Sequence, residues 1–190
     1  MRKSVAAYWV FAASFVLVHS LMMAEAKAQV PDRVLSFRDV ALQLHTPEDI
    51  AHYMWRNFRF ETDRALFGEE EYWQSAEEIL VTQQGDCEDF AVFAHEVLKL
   101  NGVSSFLLNV YGDQFAHTVC VFKENGKYSI IDGDHVLHFE ADNIRDLMAQ
   151  IYPFWKKGAL VTPSPTSRSA QQLTEIERSI RANHRLATSA

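Results

Sequence analysis

Residues 85–102 read GDCEDFAVFAHEVLKLNG, and the rest of the chain is best understood outward from this stretch. Gly85 interrupts what precedes it, and Asp86 is of the residue type that caps a helix N-terminus. From Cys87 to Leu100 the residues Phe90, Ala91, Ala94, Val97 and Leu98 recur at helical intervals, which predicts one apolar face. Asn101-Gly102 closes this helix, since glycine takes the left-handed backbone of a helix end without steric cost. Downstream the period changes from helical to alternating. The stretches 103–111, 115–123 and 127–132 read as three strands, and Asn125-Gly126 is a two-residue hairpin turn between the last two. Upstream, Ala41, Leu44, Ile50, Tyr53 and Met54 keep helical spacing, broken at Pro47 with Thr46 as cap, so two helices are expected. Residues 57–71 read as irregular, and Ser75 with Glu78 forms a capping box for a short helix through Val81. One more helix is expected over 143–151. Helices followed by an antiparallel sheet make an α+β fold, with the Cys87 helix packed on the sheet that carries His117.

The chain has 190 residues, 48% of them hydrophobic, enough for one substantial core. A net charge of −7 provides no basic field for a polyanion and argues against nucleic acid as a partner. The N-terminus stands apart. Arg2 and Lys3 precede an apolar run from Val5 to Val18, and the small-residue sites Ala24-Glu25-Ala26 and Ala26-Lys27-Ala28 follow. This is the layout of a secretory signal peptide over residues 1–28; the competing reading is an uncleaved membrane anchor. No later segment has the apolar length of a membrane span. The expected organisation is therefore a signal peptide at 1–28, a domain at 29–157, and a Pro/Ser/Thr linker with a polar C-terminal helix or tail at 158–190. The expected location is across the inner membrane, in a bacterial periplasm.

Only Cys87 and Cys120 are present, and an oxidising compartment raises the question of a disulfide between them. Their settings differ. Cys87 falls in the first turn of its helix, where unpaired N–H groups and the helix dipole favour a thiolate and could hold an oxyanion. His117 and Cys120 fall on opposite faces of one alternating strand, so Cys120 reads as a buried structural thiol. Asp132 ends the next strand on the face that carries His117. Cys87, His117 and Asp132 thus have the composition of a nucleophile, base and orienting acid. Asp134 lies on the same face, and strict hairpin register would place it, not Asp132, opposite His117. Asp132 is preferred because Gly133 ends the ladder and a diagonal neighbour is within reach of histidine. Zinc hydrolysis is excluded, because in His95-Glu96-Val97-Leu98-Lys99 a lysine stands where the second ligand belongs. His135 and His138 are read as surface residues.

The segment Gly85-Asp86-Cys87-Glu88-Asp89-Phe90-Ala91 resembles the nucleophile motif of bacterial transglutaminase-like cysteine proteinases. The resemblance extends from Asn57 to Asp134. It includes Asn57-Phe58-Arg59-Phe60-Glu61-Thr62-Asp63, then Tyr72-Trp73 with Glu78 and Leu80, His117 in a strand, and Ile131-Asp132-Gly133 at a strand end. The Thr118-Val119 flank of His117 departs from the family pattern. The resemblance implies a papain-like α+β core, thiol acyl transfer and a protein or peptide substrate. By analogy with papain-type sites it also implies an upstream oxyanion donor, for which Trp73 and Gln74 are the candidates. Some relatives of this kind depend on calcium held by acids like Asp86 and Glu88. Nothing in the sequence requires a cofactor, and the other reading of these acids is helix capping and solvated charge. Three functional classes stay open: peptide or isopeptide hydrolysis, which is preferred; amide transfer to an amine; and a binding module without turnover.

Overall fold

The structure is a computed structural model and describes residues 36–152 and 154–161. The expected signal peptide, the Pro/Ser/Thr run beyond Val161 and the C-terminal helix lie outside the described residues. Helices α1 (Phe37–Ala41) and α2 (Pro47–Asn57) open the described chain. Each begins with a capping box, Ser36 with Asp39 and Thr46 with Asp49, so the orphan N–H groups of the first turn are met locally. Two short elements follow in the stretch expected to be irregular, strand β1 (Arg59–Phe60) and helix α3 (Asp63–Phe67). Helix α4 (Ala76–Thr82) starts at the Ser75/Glu78 box, and strand β2 (Gln84–Gly85) pairs in parallel with β1. Helix α5 spans Cys87–Leu100, as the periodicity predicts.

The remaining strands are β3 (Ser105–Tyr111), β4 (Ala116–Glu124), β5 (Lys127–Asp132), β6 (His135–Ala141) and β7 (Lys157–Val161), with helix α6 (Ile144–Ile151) before the last. They form one five-stranded sheet in the order β6-β5-β4-β3-β7, and every pairing is antiparallel. Both faces are covered. On one, Phe90, Phe93, Val97 and Leu98 of α5 pack with Leu107, Cys120, Phe122 and Ile131. Phe58 anchors this layer, its ring 4.9 Å from that of Phe93 and 5.7 Å from that of Phe90. On the other face, Leu147 and Met148 of α6 pack with Leu108, Val110, Val119, Val121 and Ile130. The α+β expectation is met. Among the described residues no helix is long and apolar enough to cross a membrane.

Two edge strands differ from expectation. Residues 158–161 do not begin a linker but complete β7, where Val110 pairs with Gly158 and Leu107 with Val161. The domain therefore extends past the boundary expected at residue 157. Strand β6 takes in His135 and His138; both stay at the surface, where His138 Nε2 lies 2.9 Å from a Glu48 carboxylate oxygen.

Candidate active site

The start of α5 is built on a buried polar plug. Gly85 has no room for a side chain: a Cβ there would lie 2.7 Å from the Cβ of Asp89 and 2.9 Å from Nε2 of Gln74. Asp89 is buried, and its carboxylate accepts from the Gln74 backbone N–H at 2.8 Å, from Gln74 Nε2 at 2.6 Å and from the Asp86 N–H at 3.3 Å. Gln74 Nε2 also donates to the Gln84 carbonyl at 2.8 Å, while its Oε1 accepts from the Thr82 hydroxyl at 2.8 Å. Every polar atom of the Gln74 amide is thus committed to holding the turn before Cys87. The indole N–H of Trp73 donates to Glu71 at 2.7 Å. In the first turn of α5 the Glu88 N–H is held by its own carboxylate and the Phe90 N–H by the Asp86 carbonyl.

Cys87 occupies the first helical position and is half-buried. Its Sγ–H donates to Glu88 Oε2 at 3.2 Å, and the backbone N–H of Thr118 donates to the sulfur. Continuing the β4–β5 register past Cys120 and Ile131 sets Val119 against Asp132, where β5 ends. The β4–β5 ladder stops at Cys120, and the Thr118 backbone N–H beyond it bonds the Cys87 sulfur at the start of α5. Burial first, then the Glu88 charge, pushes the Cys87 thiol up to about 12; the Thr118 N–H opposes them. Cys120 is fully buried on the α5-facing side of the sheet, and both cysteines are free thiols.

His117 lies on the α6-facing side, next to Thr118. Its Nε2–H donates to Asp132 Oδ1 at 2.6 Å, which leaves Nδ1 as the ring position able to take a proton. Asp132 is partly buried. Burial works against its charge, but the His117 hydrogen bond and charge, with a bond from Tyr152, hold its carboxyl below the ordinary range. Asp134, opposite His117 by strict register, is turned away and pairs with the neighbouring His135 at 2.6 Å. Gly133 sits between the two acids at a φ of +55°, a left-handed residue that ends the ladder after Asp132. The structure therefore brings His117 to Asp132 and leaves Asp134 outside.

Two groups complete the surroundings: Tyr152, which the sequence reading did not single out, and Asp63, which it quoted only as part of the segment 57–63. Tyr152, which follows α6, donates its hydroxyl to Asp132 Oδ2 at 3.1 Å and sets its ring edge-on to His117, centroids 6.0 Å apart. Asp63 is buried beside the acids of α5. Its Oδ2 accepts from the Tyr72 N–H at 2.5 Å, whereas Asp63 Oδ1 and Asp86 Oδ1 are buried without a hydrogen-bond partner. Ligand atoms of Asp86, Cys87 and Glu88 lie within 4.8 Å of one another, as do those of Asp63, Asp86 and Asp89 and those of Asp63, Glu71 and Glu88. Crowding and burial raise these acids. Burial, then the hydrogen bond and charge of Asp86, take Glu88 to about 9; burial takes Asp89 to about 7 and Asp63 to about 6.

The chain is similar to several solved structures. Legionella pneumophila LapG superimposes with a TM-score of 0.46 at 22% identity, over 76% of this chain and 85% of that one. Its EGTA-treated form gives 0.45 at 20% identity over 76% and 86%, and its calcium-bound form 0.46 at 22% over 73% and 86%. No curated protein matches the sequence. The sequence profile of the Transglutaminase-like domain family matches residues 36–147, a span that runs from the Ser36 cap through α5 and the sheet into α6. That span covers more than half of the chain and contains Cys87, His117 and Asp132, and the chain belongs to the transglutaminase-like domain family.

Proposed function

We propose that this chain is an exported cysteine-nucleophile acyl-transfer enzyme, a peptidase that hydrolyses a peptide or isopeptide bond through Cys87, His117 and Asp132. The observation that carries this reading is the 2.6 Å His117–Asp132 hydrogen bond one residue from the Thr118 amide that contacts the Cys87 sulfur. His117 Nδ1 takes the thiol proton while Asp132 holds the ring and stabilises the imidazolium. The thiolate adds to the substrate carbonyl carbon and forms a tetrahedral oxyanion. Collapse expels the amine, protonated by His117, and leaves a thioester on Cys87. Water, deprotonated by His117, then releases the acid and restores the thiol. Export, to a bacterial periplasm, rests on the charged and apolar leader before Ala28.

A hard cation such as calcium fits the acids beside the nucleophile. Asp63, Asp86 and Asp89 bring carboxylate oxygens within 4.8 Å of one another, Glu88 lies as close to Asp86, and one oxygen each of Asp63 and Asp86 is buried without a hydrogen-bond partner. When bound there, the cation supplies positive charge that offsets the carboxylates raising the Cys87 thiol. The thiol chemistry itself belongs to Cys87, His117 and Asp132.

The deciding experiment incubates the mature protein and its Cys87→Ala variant with a peptide library, with and without a primary amine. Cleavage by the parent and none by the variant supports hydrolysis. Amine incorporation without cleavage replaces hydrolysis with transamidation, and no reaction under either condition with calcium present leaves a binding module.

A further inference from the structure

We propose that Tyr152 is a positioning residue of this site: its hydroxyl fixes the Asp132 carboxylate and, through it, the orientation of the His117 ring. The kinetic part of this inference rests on the acyl-transfer reading; the structural part does not. Asp132 has two oxygens and each is used, Oδ1 by His117 at 2.6 Å and Oδ2 by the Tyr152 hydroxyl at 3.1 Å. A carboxylate held at one oxygen can still rotate about its terminal torsion, which is broad for aspartate. Held at both, it presents Oδ1 in one direction. Asp132 is the last residue of β5, next to the left-handed Gly133, so its backbone is braced by ladder bonds on one side only. The second hydrogen bond supplies the restraint that the sheet lacks there.

Tyr152 is itself well fixed. Its N–H donates to the Met148 carbonyl at 2.8 Å and closes α6, whose Leu147 and Met148 are buried against the sheet. Its ring lies between His117, at 6.0 Å, and Phe115, at 6.2 Å between centroids. Phe115 in turn packs over Gly112 in the β3–β4 connection, where a side chain on residue 112 would strike its ring. Burial, and then the Asp132 charge, hold the phenol well above its ordinary range, so the hydroxyl keeps its proton and stays a donor. The phenol has a partner, a fixed orientation and one proton to give, and it gives it to the carboxylate behind His117.

The test uses the mature protein in a Cys120→Ala background, so that thiol alkylation reports Cys87 alone. Tyr152→Phe, Asp132→Asn and their combination are compared by two readouts. The first is the 15N tautomer signature of the His117 ring, assigned by its loss in His117→Gln; the second is the rate of Cys87 alkylation by iodoacetamide. Tyr152→Phe is expected to stay folded, shift the His117 signature and slow alkylation on the order of tenfold, the size of one lost charge-assisted hydrogen bond. In the Asp132→Asn background the same change should cost nothing further, because it acts through Asp132. An unchanged His117 signature in folded Tyr152→Phe, or an equal loss in both backgrounds, overturns the proposal. Phe115→Leu loosens the packing but keeps the hydroxyl, and if it reproduces the Tyr152→Phe shift, packing is the cause and the proposal fails. Should alkylation of the parent be no faster than that of His117→Gln while Tyr152→Phe still moves the ring signature, the acyl-transfer reading falls and the Tyr152–Asp132 contact stands.

Discussion

Asp132 accepts from His117 at 2.6 Å across a diagonal of the β4–β5 ladder, not from the residue that faces it, Val119. The residue facing His117 in a continued register is Asp134, and Gly133 has already turned that acid toward His135. A single left-handed residue thus decides which of two acids can orient the imidazole. Asp132→Asn is expected to leave the protein folded and lower turnover by about 10⁴, the size of effect seen when an orienting carboxylate becomes an amide. Asp134→Asn should change turnover less than tenfold. Steady-state kinetics of the two variants check this, and the reverse pattern would return the role to Asp134.

The two thiols are expected to behave differently. Cys87 is half-buried at the start of α5 with the Thr118 amide on its sulfur, whereas Cys120 is enclosed between α5 and the sheet. A thiol-directed electrophile should therefore label Cys87, and Cys87→Ala should abolish both labelling and activity. Cys120→Ala should leave labelling intact and lower stability, because it opens a small cavity in a close-packed layer. Mass spectrometry of the labelled protein reads out the first. Equal labelling of the two residues, or a Cys87–Cys120 disulfide in the purified protein, would contradict it.

The elements nearest the nucleophile were legible because their signals are local. A glycine, a capping acid and a fourteen-residue apolar period define α5, and Asn125-Gly126 sets the β4–β5 hairpin to the residue. The α4 capping box is equally local. The edges were not legible, and the reasons are physical. Strand β6 carries a register shift opposite Tyr128 and Ile130, which breaks the period of two that marks a strand. Strand β7 has five residues, including one glycine, and is a strand because β3 offers it a partner. Tyr152 and Asp63 reach the site through tertiary packing, Tyr152 at the end of a helix on the far face and Asp63 from a short helix across β1. No spacing rule ties either to Cys87. Gln74 entered the sequence reading by analogy with papain-type sites, and no local signal announced the hydrogen bonds that tie its amide to Asp89, Gln84 and Thr82.

Gln74 should accordingly behave as a structural residue. Its amide joins Asp89, Gln84 and Thr82, so Gln74→Leu leaves a buried carboxylate short of donors and is expected to cost about 1–3 kcal/mol of stability. Gly85→Ala forces a side chain into Asp89 and Gln74 and should destabilise the same turn. Chemical denaturation measures both. A Gln74 variant with unchanged stability and a hundredfold loss of turnover would instead mark it as an oxyanion donor.

The buried acids make stability depend on pH in a direction that calcium should reverse. Asp63 and Asp89 titrate at about 6 and about 7 instead of 3.8, and Glu88 at about 9 instead of 4.5. Between its ordinary and its raised value each group binds more protons folded than unfolded, so its contribution is fullest below about pH 4 and is lost as pH rises through the raised value. Asp132 has the opposite sign, since its depressed carboxyl stabilises the fold above the ordinary carboxylate range and ceases to do so as pH falls below it. The metal-free protein is therefore expected to have a melting temperature that falls steadily from pH 5 to pH 9, as the cluster ionises against itself. Calcium binds the ionised form, so added calcium should raise the melting temperature more at pH 8 than at pH 5. At a concentration 100 times its dissociation constant the gain is about 2.7 kcal/mol. Asp86→Asn with Glu88→Gln should remove the response to calcium and shrink the fall with pH to the part that burial of Asp63 and Asp89 causes. Scanning calorimetry with a chelator and with calcium at the two pH values is the check. If neither addition moves the melting temperature at pH 8, the acids at the start of α5 cap the helix and hold no cation, and His117 alone must counter the charge that Glu88 places on Cys87.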